Sequence, residues 1–454
     1  MATTQETIND IISDLKKKSI VIPAWSQLKK EYDPRKHPVM TDKFYRDRVK
    51  KGVPERLTRI TYGWQQLATK RMAELAFGIP VKRIYKPKDE AEKKASQIIE
   101  DIYQRNRINS VNIERAKMLY ACCEFITLWY AQEQPTEYAG EATPIKIRCK
   151  TFSPMKGDTL YPRFDEYDDL VALSVEYRRV EDSRTITYFD SYTDTTHNRW
   201  RNDGTGWQTD VEEQINIGKI AGVYAYRPEP IWENQSENVY EAEWAMSRNG
   251  NYLRKNSRPT WVICTDDNVN VGKEPTDNTA ARNIVKYSKG STAGYATWTQ
   301  AIESLRFHIE EIKKNFFMQL QLPDMSMENM KATPMSGEAR KMMFIDSQLK
   351  VLDEQGVWLE TFDREFNVLR AFARVMYPSL AAAITSLKVE HEITPYTIQD
   401  TTERIKNLSD AAGGKAIASR RTAVSRLGWA DDVDNELEAI SNDEMGDVFN
   451  EPAV

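Results

Sequence analysis

The sequence predicts an α+β protein, mainly helical, and three stretches carry that prediction. Apolar residues recur at helical spacing through the first part of the chain. Between about Pro144 and Tyr226 the texture changes to short β-rich runs. From Ser336 a helical pattern then persists to Tyr377-Pro378. At about 1.5 Å per residue that last pattern makes a rod of roughly 60 Å, far beyond the average helix of about 11 to 12 residues.

In order along the chain, Leu57, Ile60, Trp64, Leu67 and Ala68 predict an amphipathic helix within Pro54 to Phe77, stopped by Gly78-Ile79-Pro80. Further helices are expected over Asp89 to Arg105 and Val111 to Trp129. Strands follow at Ile145 to Cys149, Leu170 to Tyr177, Thr185 to Phe189 and Ile220 to Tyr226, separated by turn clusters such as Asn202-Asp203-Gly204. The alternation in Thr185 to Phe189 predicts an antiparallel sheet with one wet face.

A helix from Asn238 to Lys255 breaks at Arg258-Pro259. A small β module follows, with strands at Thr260 to Cys264 and near Ile284 to Tyr287, and helix resumes from Thr297 to Leu320. Pro323 to Pro334 is a methionine-rich loop (Met325, Met327, Met330). Ser336 is the expected N-cap of the long helix, with Glu338 at the positive end of its dipole and Gly356 as an expected kink. Beyond Pro378 the pattern predicts a short helix, a strand at Leu387 to Ile393, helices from Ile398 to Ile440 and a disordered acidic tail (Asp443, Glu444, Asp447, Glu451).

Bulk properties narrow the function. A chain of 454 residues predicts several packed regions at roughly 100 to 200 residues each. With 29% charged and 40% hydrophobic residues, and no run near the roughly 18 apolar residues of a membrane span, a soluble protein is expected. Met1 to Lys18 lacks the basic start and apolar stretch of a secretory signal. The four cysteines, Cys122, Cys123, Cys149 and Cys264, fit neither a disulfide framework nor a zinc site, so a reducing compartment is expected. A net charge of -5 argues against wrapping DNA by neutralising many phosphates. The 11 tryptophans fit large cores and buried subunit contacts alike.

No catalytic constellation emerges. Gly413-Gly414-Lys415-Ala416 lacks the upstream glycine and the following Ser or Thr of a phosphate-binding loop, and reads as a turn between helices. His37, His197, His308 and His391 are scattered without metal-ligand spacing. Asp168-Asp169, Asp266-Asp267 and Asp431-Asp432 could supply a two-metal nuclease, but each sits beside a turn or helix start where aspartate is ordinary. The basic cluster Arg35, Lys36, Lys43, Arg46, Arg48, Lys50 and Lys51 is interleaved with Asp33, Asp42, Asp47 and Glu55, as in a solvated face. No cofactor and no metal is expected.

The order of parts resembles the portal proteins of tailed bacteriophages, particularly the siphophage type. Ala73 to Pro80 is similar to the family's N-terminal helix with its aromatic-Gly-x-Pro turn, and Tyr226 to Trp232 to the entry into its stem. Pro334-Met335-Ser336-Gly337-Glu338-Ala339-Arg340-Lys341 resembles the Ser-Gly-x-Ala-x-Lys start of the long wing helix, which singles out Ser336, Gly337, Arg340 and Lys341. The resemblance runs from Leu57 to Ile440 and leaves out the first 50 or so residues.

That resemblance implies a portal fold with wing, stem, clip and crown regions and a long kinked wing helix. The implied layout is wing 1–238, stem helix 239–257, clip 258–296, second stem helix 297–321, tunnel loop 322–335, returning wing 336–397, and crown with acidic tail 398–454. Pro323, Asp324, Met325, Ser326, Met327, Glu328, Asn329, Met330 and Lys331 would face the DNA channel. Trp261, Asp266, Asp267, Lys273 and Lys286 would present the clip to the terminase or connector.

The implied function is a homo-oligomeric ring of about twelve subunits at one capsid vertex, heterologous contacts closing the ring. Double-stranded DNA would pass through it during packaging and ejection. Terminase, major capsid and scaffolding proteins, and head-completion or tail connector proteins would be its partners, with no membrane. Assembly would occur in the host cytoplasm and the ring would reside in the virion. The alternatives are another head-tail connector or minor capsid protein and, further off, a metal-dependent nuclease.

Overall fold

A computed structural model describes residues 4–17, 20–50, 53–256, 260–264, 292–296, 302–322, 342, 344–396, 401–413, 416–430 and 433–450. Helices α1 (Thr4–Leu15), α2 (Trp25–Tyr32) and α3 (Pro38–Thr41) and a small hairpin of β1 (Arg48–Lys50) and β2 (Val53–Glu55) lead to α4 (Trp64–Phe77) and β3 (Lys82–Tyr85). Two longer helices follow, α5 (Glu90–Arg105) and α6 (Ile108–Cys122). Asp89 caps α5, its carboxylate accepting the Glu92 N–H at 2.8 Å.

The β region is antiparallel, as expected, and larger than the sequence suggested. Its strands are β4 (Glu124–Tyr138), β5 (Glu141–Phe152), β6 (Thr159–Phe164), β7 (Leu170–Glu181), β8 (Arg184–Tyr192), β9 (Thr196–Asn202), β10 (Trp207–Gln214) and β11 (Gly222–Tyr226). They form a five-stranded sheet in the order β10-β9-β8-β7-β6 and a three-stranded sheet in the order β11-β4-β5. The sheets press close at Gly222, where an added Cβ would stand 2.6 Å from Leu128 and 2.8 Å from Leu173.

The chain then enters α7 (Ser236–Asn256) and the paired strands β12 (Thr260–Cys264) and β13 (Thr292–Ala296), and returns in α8 (Ile302–Gln319). The long helix is α9 (Ile345–Met376), 32 residues that run unbroken through Gly356. Helix α10 (Ala381–Ser386) and β14 (Val389–Glu392), which pairs antiparallel with β3, close this body. Helices α11 (Thr401–Ala412), α12 (Arg420–Leu427) and α13 (Val433–Asn450) end the chain.

Two hydrophobic clusters form the core, and α9 belongs to both. Its C-terminal half gives Phe366, Leu369 and Phe372 to a cluster with Ile98, Ile102, Trp129, Leu173 and Val175. Nearer its start it gives Val351, Trp358 and Phe362 to a cluster with Met72, Leu119, Phe125, Trp232, Phe316 and Phe317. Ile12 of α1 packs separately on Phe189 and Trp200 of the larger sheet.

Several sequence expectations need correction. Helix α4 begins at Trp64, not near Pro54, because residues 58–62 run extended along α7. The helix expected to reach Trp129 ends at Cys122, where Cys123 takes a left-handed φ of 65° and turns the chain into β4. A run such as Phe125 to Trp129, apolar but for Thr127, has no periodicity to separate a buried strand from a buried helix. The acidic tail continues as helix to Asn450, with Asp434 and Glu436 favourably placed in its first turn. The partner of β12 is Thr292–Ala296, and the strand expected at Ile284 to Tyr287 lies outside the described residues. No described helix is long and apolar enough to cross a membrane.

Candidate functional site: the paired helices, the loop root and their anchors

The excursion through α7, β12, β13 and α8 leaves and rejoins the body at one place. Gln235, just before α7, donates from Nε2 to Oε1 of Gln319 at the end of α8. Further along, Nε2 of His308 stands 3.5 Å from Oε1 of Glu241, both side chains about half exposed. Beyond these helices the two strands pair in the register Thr260↔Ala296 to Cys264↔Thr292.

The N-terminal segment straps α7 in place. The N–H groups of Thr58, Ile60 and Tyr62 donate to Oδ1 of Asn251 (2.6 Å), Oγ of Ser247 (2.8 Å) and Oε1 of Glu243 (2.7 Å). Alternate residues of an extended chain advance about 6.6 Å and four residues of a helix about 6 Å, so the two repeats stay in step over this length. Gly250 permits the approach: a Cβ there would lie 2.7 Å from Cγ2 of Thr58. Glu243 also faces His37, whose Nδ1 is 2.7 Å from Oε1 while its Nε2 is 2.7 Å from the Glu31 carbonyl; both side chains are fully buried. Glu31 in turn accepts from Trp232 Nε1 (2.9 Å) and Ser236 Oγ (2.7 Å), fixing the start of α7.

The loop expected between α8 and α9 has a firmly tied root. Phe316 and Phe317 anchor the end of α8 in the core, with Arg71 4.8 Å above the Phe317 ring. From the start of α9, Ser347 Oγ donates to the Gln321 carbonyl and Lys350 Nζ to the Leu320 carbonyl, each at 2.8 Å. The lysine meets carbonyls left unpaired at the α8 C-terminus, where positive charge is favoured. Burial pulls the Lys350 ammonium below the usual lysine range, and Glu354 opposes the shift.

Helix α9 is locked to the body by a buried ion pair. Arg115 donates to Glu365 through two nitrogens at 2.7 and 3.2 Å, and Trp129 Nε1 adds a third bond at 2.9 Å. Arg115 is wholly buried and Glu365 nearly so.

Of the residues singled out from sequence, Trp261 lies in β12 with its backbone opposite Tyr295. Asp266, Asp267, Lys273, Lys286, Pro323 to Lys331, Ser336, Gly337, Arg340 and Lys341 lie outside the described residues. The structure brings together residues that sequence reasoning missed: Glu243, Ser247 and Asn251 on α7, and Arg115 with Glu365. A charge inside an apolar helical face marks Arg115 and Glu365 individually; their pairing across 250 positions leaves no local trace.

Of the aspartate pairs, Asp168-Asp169 forms an exposed turn in which Asp165 accepts the N–H groups of Tyr167 and Asp169. Asp431-Asp432 lies outside the described residues. Among the described residues no cluster of His, Cys, Asp or Glu could hold a metal ion. Cys122, Cys123 and Cys149 are free thiols, Cys149 pushed up to about 11 and Cys123 to about 12 by burial.

The described residues form a two-cluster body, a long spanning helix and a paired-helix excursion tipped by strands. The sequence matches the family described as "Phage portal protein, SPP1 Gp6-like" over residues 21–447, and the chain belongs to that family of structural proteins. The match begins near residue 21, so most of the N-terminal segment, expected to lie outside, is part of it. No curated protein matches the sequence.

Among solved structures, the chain is similar to "Neck of empty GTA particle computed with C6 symmetry", at 12% identity and a TM-score of 0.42, covering 93% of this chain and 98% of that one. It is similar to "Neck of native GTA particle computed with C12 symmetry" at 12% identity and 0.40, covering 92% and 98%. A virion of a native gene transfer agent particle matches at 12% and 0.41, covering 93% and 99%.

Proposed function

We propose that this portal protein assembles into a closed ring of about twelve copies at one capsid vertex and forms the channel for DNA packaging and ejection. In this reading α7 and α8 are the stem, residues 258–296 the clip that meets the terminase and later the tail connector, 322–335 the tunnel loop, and 398–454 the crown. The body of β4 to β11 with α9 is the wing. Capsid and scaffolding proteins surround it, the ring is assembled in the host cytoplasm, and ATP hydrolysis belongs to the terminase.

The observation that carries the reading is the tied root of the loop. Ser347 and Lys350 hold the start of α9 against the end of α8, so force on the intervening segment passes directly to both long helices. Charge supports it as well: a chain of net charge -5 does not grip phosphates along its length, as a sliding conduit requires. Leu253, Phe307 and Met318, exposed on α7 and α8 of the single subunit, are apolar side chains that a neighbouring copy would cover.

Electron microscopy of the purified protein tests this reading. Rings with a central channel are expected, and a monomer at high concentration would remove it. Deletion of Met325 to Met330 should leave rings intact and impair packaging; normal packaging would take the loop out of the mechanism.

A further inference from the structure

A cavity of about 610 Å³ opens between the two sheets and the C-terminal end of α9, and neither the paired helices nor the loop root contributes to its lining. That volume is in the range of small-molecule sites, about 300 to 1,000 Å³. Its lining mixes apolar side chains, among them Val211, Ile217, Phe372 and Met376, with the polar groups of Lys150, Arg179, Asp190, His197, Arg199 and Glu213.

Among the lining residues the two carboxylates are already engaged. Asp190 is taken up by Arg199, at 2.7 and 3.1 Å, and by the Tyr177 hydroxyl at 3.2 Å. Glu213 is held by His197 Nδ1 at 2.6 Å. Among the described residues neither Lys150 nor Arg179 has a carboxylate partner. Both instead lie over aromatic faces, Lys150 4.3 Å from the Phe152 ring and 4.6 Å from Tyr177, and Arg179 5.2 Å from the same Tyr177. Two cations therefore share one ring; burial first, and then Arg179, pull the Lys150 ammonium below the usual lysine range, with Asp158 and Asp190 opposing the shift.

His197 lines the same cavity. Its side chain is more than nine-tenths buried and stacks 4.2 Å from Tyr192, yet its Nε2 has no hydrogen-bond partner, the Asp190 carboxylate standing 4.0 Å away. A buried ring nitrogen without a partner is uncommon in a satisfied interior.

We propose that this cavity is a binding site for an oxyanion carried on an apolar body, its carboxylate or phosphate seated between Lys150 and Arg179 and its apolar part against Ile217, Phe372 and Met376. An anion there pairs both cations at once, and partial burial strengthens the bond relative to water. Cation–aromatic contact alone accounts for the placement of the two side chains but not for the adjoining cavity. The site does not depend on the ring or on the assignment of stem and clip.

Calorimetric titration of the purified full-length protein with hexanoate, hexyl phosphate, acetate, inorganic phosphate and hexylamine tests the proposal. Hexanoate or hexyl phosphate should bind at least tenfold more tightly than acetate or inorganic phosphate, and hexylamine should not compete. Whichever of the two binds more tightly identifies the headgroup as carboxylate or phosphate. Lys150→Met and Arg179→Gln should each weaken binding at least tenfold; Arg179 is exposed, so its variant reads the site even where Lys150→Met disturbs packing. The proposal is overturned by no binding of any anion, by equal binding of hexylamine, or by binding that Arg179→Gln leaves unchanged.

Discussion

The body around α9 and the excursion of α7 and α8 are both helical, yet they are stabilised in opposite ways. In the body, the C-terminal half of α9 is enclosed on several sides, and its buried carboxylate Glu365 receives three hydrogen bonds from Arg115 and Trp129. In the excursion, α7 is held mainly along one side, by backbone N–H groups of an extended strap, while Leu253, Phe307 and Met318 stay exposed. Helix α9 repeats the contrast within itself: Ile345, Leu349 and Leu352 near its start are exposed, whereas Leu369 and Ala373 near its end are fully buried. The body is finished within one chain; the excursion presents surface to whatever lies beside it.

The sharpest way to break the comparison is at the buried pair. Arg115→Met leaves Glu365 charged and enclosed, and should cost about 3 to 5 kcal/mol in denaturant unfolding. Adding Glu365→Leu should recover much of that loss. A small effect of the single change would show that the body does not depend on this lock.

In the excursion, Gly250→Ala improves helix propensity but drives a methyl group into Thr58, so a net loss of about 1 to 3 kcal/mol is expected. Pairing it with Thr58→Ser, which removes the clashing methyl, should restore stability if the strap contact is responsible. Gain of stability in Gly250→Ala alone would mean that the strap does not hold α7.

Lys350→Met removes the bond to the Leu320 carbonyl and should cost about 1 kcal/mol, little for a partly exposed group. Its larger effect should be on proteolysis of the loop between α8 and α9, which limited digestion measures. Unchanged digestion would argue that Ser347 alone secures the root.

The smallest effect concerns pH. Burial holds the His391 imidazole below its usual value near 6.5, against the pull of Asp363 at 3.0 Å. The unfolded chain therefore takes up this proton first. The neutral ring's contribution is complete above about pH 6.5 and is lost as the pH falls through the lower folded value. The melting temperature should drop between pH 7 and pH 5 by more in the native protein than in His391→Asn; equal slopes would exclude this residue as a source.

The sequence by itself determined the elements whose signals are local. The helical pattern from Asp89 to Arg105 marked α5, Asn202-Asp203-Gly204 marked the turn between β9 and β10, and sustained helical periodicity marked α9. It also marked the small β module between two helices, down to the residues of β12. The turn and helical signals depend on contacts a few residues apart, which chain order preserves, whereas the partner of β12 lies farther along, at Thr292–Ala296.

Only the tertiary structure decided the rest. Residues 56–63 look helical by spacing yet lie extended, because Glu243, Ser247 and Asn251 offer acceptors at the right interval from nearly two hundred positions away. Phe125 to Trp129 became a central strand because β5 and β11 flank it, and a run that is apolar but for Thr127 has no preferred face of its own. The pairing of Arg115 with Glu365, the tie of Lys350 to α8, and the unpaired cations in the cavity between the sheets arise where distant segments meet. Burial gives those contacts their strength, and burial is a property of the folded chain.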